Sequence, residues 1–273
     1  MDPDRAAPGT ASDDWESHWD EFAESASENP AQRYRRALIA TYLARLDPPR
    51  RVLDIGSGQG DLLSSLRAEL TDVELAGLEL SAAGIDLARA KVPSARFVQV
   101  DLLNEHGELD EITGWADVAI CSEVLEHVEE PAVLLRNASR AVAAGGRVVI
   151  TVPGGPRTAF DRHIGHRRHY DAGALRQVIV EAGLTPEIVR GHGFPFFNLY
   201  KLVVLARGDR LIDDAATSAP PSPLASAVMR GFGALLQPRR CSSRVGWQLL
   251  AVAQVPPAYG GGPADTSSHA EDT

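Results

Sequence analysis

Four histidines could move protons in this chain: His127, and the trio His163, His166 and His169 spaced three residues apart. Imidazole titrates near neutrality, so such a set suits taking, passing or orienting a proton. The spacing also resembles that of metal ligands. Arg162, Arg167 and Arg168 would repel a divalent cation, however, and only Asp161 and Asp171 supply carboxylates nearby, so no metal is expected. Arg167 and Arg168 are expected to pair with Glu123 or Glu126, or to grip an acidic small molecule through a forked contact. A second constellation is the run Val52-Leu53-Asp54-Ile55-Gly56-Ser57-Gly58-Gln59-Gly60. Glycines there let the backbone turn sharply and approach a ligand, and a helix starting behind them offers free N–H donors. Asp54 stands just before the turn, and Glu79 follows about 20 residues later, where a carboxylate can accept from two ribose hydroxyls.

These groups need a frame, and the chain provides an alternating one. Short β-branched runs at 51–55, 74–80, 96–100, 116–122, 147–152, 185–190 and 245–254 alternate with helical patterns at 61–70, 82–91, 172–182 and one from strand four to about Val142. Ser81 is the expected cap of the helix after strand two, and Gly145-Gly146 the expected stop before strand five. Such alternation is the signature of an α/β fold: a Rossmann-like, doubly wound, mostly parallel seven-stranded sheet with helices on both faces. Apolar helical stretches at 196–211 and 225–236, joined by a Pro/Ser/Ala linker at 213–223, read as a helical insertion over 192–244 between strands six and seven. Residues 14–256 form one domain, with tails at 1–13 and 257–273 and an N-terminal helical segment at 14–46 carrying Trp15, Trp19, Phe22 and Tyr34. The aromatic group His192, Phe194, Phe196, Phe197 and Tyr200 either lines a pocket or packs as core.

Composition excludes several roles. The net charge of −10 argues against general nucleic-acid binding, which needs clustered cations. Two cysteines imply no disulfide framework, and the polar N-terminus is no signal peptide. No apolar run reaches the roughly 18 residues a spanning helix needs, so a cytoplasmic chain without stable membrane insertion is expected. The G-x-G-x-G spacing is not the G-x-G-x-x-G of dinucleotide sites, which counts against a nicotinamide oxidoreductase.

Taken together, Asp54 to Gly60 and Glu79 resemble motif I and the acidic second-strand residue of class I S-adenosylmethionine-dependent methyltransferases. Asp101-Leu102, the run Ser122 to Val128 and the segment Gly145 to Pro153 resemble that family's next signatures, in the expected order over about residues 50–155. Gly165-His166-Arg167-Arg168-His169-Tyr170 resembles a loop of a bacterial subgroup. The resemblance implies that S-adenosylmethionine is the cofactor and S-adenosylhomocysteine the product. It implies cofactor contacts from Asp54, Gly56, Ser57, Gly58, Gly60, Glu79, Leu80, Asp101, Leu102, Ser122 and Glu123, and a lid role for the N-terminal segment. The expected activity is O-methylation of a small molecule in secondary metabolism, with His127, His163, His166 or His169 as base. N- or C-methylation, a lipid or quinone acceptor at a membrane surface, and a cofactor-binding module without turnover remain as alternatives. The oligomeric state stays open, a homodimer included.

Overall fold

A computed structural model describes residues 30–104, 107–207, 231, 235–236 and 245–257. Helix α1 (Pro30–Leu43) opens on proline, which suits a first helical turn, and buries Tyr34, Leu38, Ile39 and Tyr42 along one face. Strand β1 (Arg51–Ile55) runs into the glycine turn and α2 (Asp61–Glu69), followed by β2 (Glu74–Glu79), α3 (Ala82–Lys91) and β3 (Arg96–Gln99). After a 3-10 turn at Asp110–Ile112 come β4 (Ala116–Ser122), α4 (Pro131–Ser139) and β5 (Val142–Pro153). Short α5 (Ala159–His163), α6 (Ala172–Glu181), β6 (Thr185–His192), α7 (Phe196–Arg207) and β7 (Gln248–Gln254) complete the order.

The seven strands lie in the order β3-β2-β1-β4-β5-β7-β6. All pairs are parallel except those of β7, which runs antiparallel to both β5 and β6. Both faces of the sheet are covered, so its inner strands are apolar almost throughout rather than alternating. One core layer joins the sheet to α4 and α6 through Leu134, Leu135, Leu175 and Ile179. The other joins it to α1, α2, α3 and α7 through Tyr34, Leu38, Leu63, Ile85 and Phe197. Strand order reverses between β1 and β4, which opens a crevice beyond their carboxyl ends.

The expected helix directly after β4 is not there. Residues 123–130 form bends and turns, and α4 starts only at Pro131, because proline fits a helix's first position and disfavours helix before it. His127 therefore sits in a turn, not on a helix. Gly145-Gly146 do not stop a helix either. They lie inside β5, where the pairing with β4 shifts register between Ala116 and Val118, and Gly145 N–H donates to Val255 O. The loop after β5 contains α5. Within the expected insertion, α7 is a helix to Arg207. The linker at 213–223, most of 225–236, the Trp15–Phe22 segment, the tail at 1–13 and all but the first residue of the 257–273 tail lie outside the described residues.

Candidate active site

The glycine turn is shaped by what crowds it. Gly56 has φ +70°, a conformation that L side chains rarely adopt, and a Cβ there would meet Val124 Cγ2 at 2.6 Å. The β4 turn can thus lie directly on the β1 turn. Gly77 on β2 leaves room for the Ser57 side chain, whose buried hydroxyl has no hydrogen-bond partner. Glu79, nearly buried at the end of β2, ties these pieces together. Its Oε2 accepts from Gly58 N–H at 2.7 Å and its Oε1 from Ser81 N–H at 2.9 Å, while Ser81 Oγ caps α3 by accepting from Gly84 N–H. Asp54 is buried beside it. Loss of water, then the charge of Glu79, pushes its carboxyl well above the usual range.

These residues fit S-adenosylmethionine. Two close, buried carboxylates are relieved by a ligand rich in hydroxyl and ammonium donors. Leu80 next to it is 48% exposed, whereas Leu102 after β3 is nearly buried. Asp101 is partly engaged already: Oδ1 accepts from Leu103 N–H and Oδ2 from the Asn104 side-chain amide, which shapes the turn after β3.

At the end of β4, Ser122 Oγ lies 2.9 Å from Thr151 Oγ1. Glu123 follows with φ +57°, the one non-glycine in the left-handed region among the described residues. Its Oε1 accepts from Thr151 Oγ1 at 3.2 Å and from Gln248 Nε2 at 2.9 Å, and its Oε2 lies 3.3 Å from Arg35 of α1. The expected side-chain pairing takes another form: Arg167 meets Glu126 through its backbone, its N–H donating to Glu126 O at 2.8 Å. Arg167 pairs with Glu129 at 2.7 Å and donates to His127 O, and Arg168 donates to Glu129 O. These contacts hold the 165–170 loop against the turn after β4.

Three of the four candidate histidines converge. The rings of His127 and His166 meet edge to face at 4.7 Å, and His166 Nδ1 lies 3.2 Å from His169 Nε2. His163, at the end of α5, is exposed and stands outside this group. Beside the group lies Glu126, fully buried, neither oxygen making a hydrogen bond. Burial, then the charge of Glu123, raises its carboxyl well above the usual range. Burial, then the neighbouring His127, lowers His166 to about 2 against the pull of Asp161. Asp161 behaves oppositely: burial alone would raise it, but Lys201 at 3.1 Å and the Thr158 N–H hold it down at about 2.

Two sets, Glu126/His127/His166 and Asp161/His166/His169, bring three possible metal-ligating atoms within 4.8 Å of one another. In the second the Lys201 ammonium already neutralises Asp161, and in the first Glu126 is favoured in its neutral form. Arg35, Thr151, Gln248 and Lys201 escaped the sequence reading, since each meets its partner only through the fold. Nothing in their local pattern marks them. The aromatic group divides: Phe197 and Tyr200 are core, with Phe197 against Tyr34 at 5.4 Å, whereas Phe194 is exposed. His192 is buried on Tyr42 OH at 3.1 Å.

A family model described as a methyltransferase domain matches residues 27–188. The chain belongs to that family, the class I S-adenosylmethionine-dependent methyltransferases. Curated relatives include the ubiquinone biosynthesis O-methyltransferases of Pectobacterium atrosepticum, 36% identical over 36% of this chain and 41% of that protein, and of Xanthomonas oryzae pv. oryzae, 37% identical over 43% and 49%. The methyltransferase chain thus matches less than half the length of these relatives. Among solved structures, Haemonchus contortus phosphoethanolamine N-methyltransferase 2 with S-adenosyl-L-methionine aligns at TM-score 0.58, 18% identity, over 91% of this chain and 61% of that one. Geranyl diphosphate C-methyltransferase from Streptomyces coelicolor aligns at TM-score 0.55, 15% identity, over 82% and 76%. At these identities the two structures share the fold with this methyltransferase.

Proposed function

We propose that this methyltransferase passes the methyl group of S-adenosylmethionine to a hydroxyl oxygen of a small-molecule acceptor, in a biosynthetic role of secondary metabolism and in the cytoplasm. The observation that carries this reading is Glu79, one carboxylate holding both the glycine turn and the start of α3 at the β1/β4 crevice. When bound, the cofactor supplies an electrophilic methyl on sulfur. Glu79 receives the ribose hydroxyls, Asp54, Gly56, Ser57, Gly58 and Gly60 shape the crevice, and Leu80, Asp101 and Leu102 bound the adenine side. Ser122 and Glu123 would face the reacting end, with Arg35 of α1 paired to Glu123 at 3.3 Å. Displacement at methyl is in-line, so holding both partners aligned and excluding water lowers the barrier. The relatives named O-methyltransferases support oxygen as the acceptor atom, and the buried histidine group supplies proton acceptors for it. The negative net charge supports a small molecule over nucleic acid as partner.

Calorimetry with S-adenosylhomocysteine tests the reading: one site per chain is expected. Gly58→Val should abolish it, because Gly58 has φ +51° and its N–H is held by Glu79. Saturable NAD binding instead would sink the proposal. A screen of hydroxyl acceptors with labelled cofactor separates an enzyme from a binding module.

A lipid-soluble acceptor is the second reading, favoured by the exposed Leu199, Leu202, Val203 and Leu205 of α7. No helix among the described residues is long and apolar enough to cross a membrane. Sedimentation with anionic vesicles should carry the protein down if α7 works at a surface; a protein that stays in the supernatant removes this reading.

A further inference from the structure

Asp161, His166 and His169 bring three metal-binding atoms into one small space, all within 4.8 Å of one another. His166 Nδ1 and His169 Nε2 are 3.2 Å apart. Asp161 closes the triangle, its Oδ1 3.8 Å from His166 Nδ1 and its Oδ2 3.6 Å from His169 Nε2. Zinc holds imidazole nitrogen and carboxylate oxygen at about 2.0–2.2 Å, which in a tetrahedron sets neighbouring ligand atoms about 3.3–3.6 Å apart. The groups are also held from behind, as metal ligands are. Gly155 O can only accept, so His169 Nδ1, 3.1 Å away, carries a hydrogen, and a neutral His169 presents its Nε2 lone pair to His166. Asp161 Oδ2 accepts from Thr158 N–H at 2.8 Å, and Arg157 fixes the loop by donating to His166 O and Arg167 O.

We propose that Asp161, His166 and His169 form a zinc site that staples α5 to the loop behind it. Two imidazoles and one carboxylate suit zinc, whereas magnesium and calcium favour oxygen throughout. The arginines that weigh against a cation in the sequence are engaged elsewhere. Arg162 is exposed and reaches back to Arg157 O at 3.4 Å, Arg167 pairs with Glu129, and Arg168 donates to Glu129 O. Lys201 is the competitor, its Nζ 3.1 Å from Asp161 Oδ1. Its side chain is 16% exposed against 8% or less for the three ligands, and it stands on a flexible four-carbon stem, so it swings out to admit the ion. Water in the place its ammonium leaves completes four ligands. Coordination also needs a lone pair on His166 Nδ1, so the hydrogen which that atom shares with His169 moves to Nε2, with no net loss of a proton. The base of the proposed methyl transfer then falls to His127.

Calorimetry and elemental analysis of the full chain, without an affinity tag of histidines, test the site with zinc chloride alone. One zinc per chain is expected, and cobalt in its place should give the intense visible absorption of a four-coordinate ion. Asp161→Asn keeps an oxygen for Thr158 N–H, yet it should weaken zinc binding more than about 100-fold, beyond the cost of losing a hydrogen-bond partner behind a ligand. His169→Gln should weaken it as much. Lys201→Met should tighten it at least about tenfold by removing the competing charge. Glu126→Gln and His127→Ala should leave it unchanged. Long-range proton–nitrogen NMR should show zinc moving the His166 hydrogen from Nδ1 to Nε2 while His169 keeps its own on Nδ1. Absent binding, weak binding at several places that no variant alters (an adventitious ion only), or binding lost with Glu126→Gln but kept in Asp161→Asn would overturn the site. So would a Lys201→Met chain that takes zinc no more tightly than the wild type. None of these readouts involves the methyl donor, so failure here leaves S-adenosylhomocysteine binding as the separate measure of the methyltransferase reading.

Discussion

Glu79 combines two duties in one carboxylate, and removing it separates them. Glu79→Ala loses a charged contact to the ribose, so binding of S-adenosylhomocysteine should weaken by about 1.5–3 kcal/mol, roughly 10- to 150-fold in Kd by calorimetry. It also frees Gly58 and Ser81 N–H, which loosens the glycine turn. An unchanged Kd would place the ribose elsewhere. Glu123 poses a different question, because its backbone is strained at φ +57° while its side chain is gripped by Arg35, Thr151 and Gln248. Glu123→Ala and Glu123→Gly lose the same contacts, but only glycine adopts this φ without cost. In denaturant titrations the glycine variant should therefore be the more stable of the two by about 1 kcal/mol. Equal stability would mean that the turn relaxes to another conformation.

Helix caps show how local sequence sets elements. Asp171 Oδ1 accepts from Ala174 N–H at 2.7 Å at the start of α6, as Ser81 does for α3. Asp171→Ala should lower stability by about 1 kcal/mol in denaturant titration without touching turnover, since its carboxylate caps α6 and enters none of the site contacts described above. A loss of turnover there would tie α6 to the site. The same caps explain what the sequence revealed. Ser81, the glycine turn and the apolar strand runs are signals carried within a few residues, and α3 and the first four strands emerged close to their observed bounds, whereas β5 starts at Val142 rather than Arg147 and β7 at Gln248 rather than Val245. The turn after β4 misled, because Glu123 and Glu126 look like acids in a first helical turn while Leu125 and Val128 repeat at helical spacing. Pro131 was the local signal that overruled them. Gly145-Gly146 misled likewise, since a glycine pair reads the same at a helix stop as in a strand irregularity. Arg35 against Glu123 and Lys201 against Asp161 had no local signal at all, because tertiary packing alone brings them together.

The whole molecule carries buried histidines that make it sensitive to acid. Burial, then Arg190 and Arg45, lowers His192 to about 4 in the folded chain. The unfolded chain binds this proton first, so below about pH 6.5 folding loses stability until pH nears 4. Relative to His192→Asn, the wild type should lose about 2 kcal/mol between pH 6.5 and 5, read from denaturation at each pH. A constant difference would mean that His192 titrates normally. Strand β7 has a consequence of another kind, one of timing. It lies between β5 and β6, pairing Val149 with Val252 and Val189 with Ala251, yet it comes last in sequence among the described strands. On the ribosome, β1 to β5 can assemble as they emerge, but β6 has no neighbour until residues 248–254 have left the exit tunnel. Until then the nascent protein keeps one edge of β5 bare. A slow codon or a stalled ribosome shortly before Gln248 would therefore hold it in its most adhesive state, when a chaperone has most to cover.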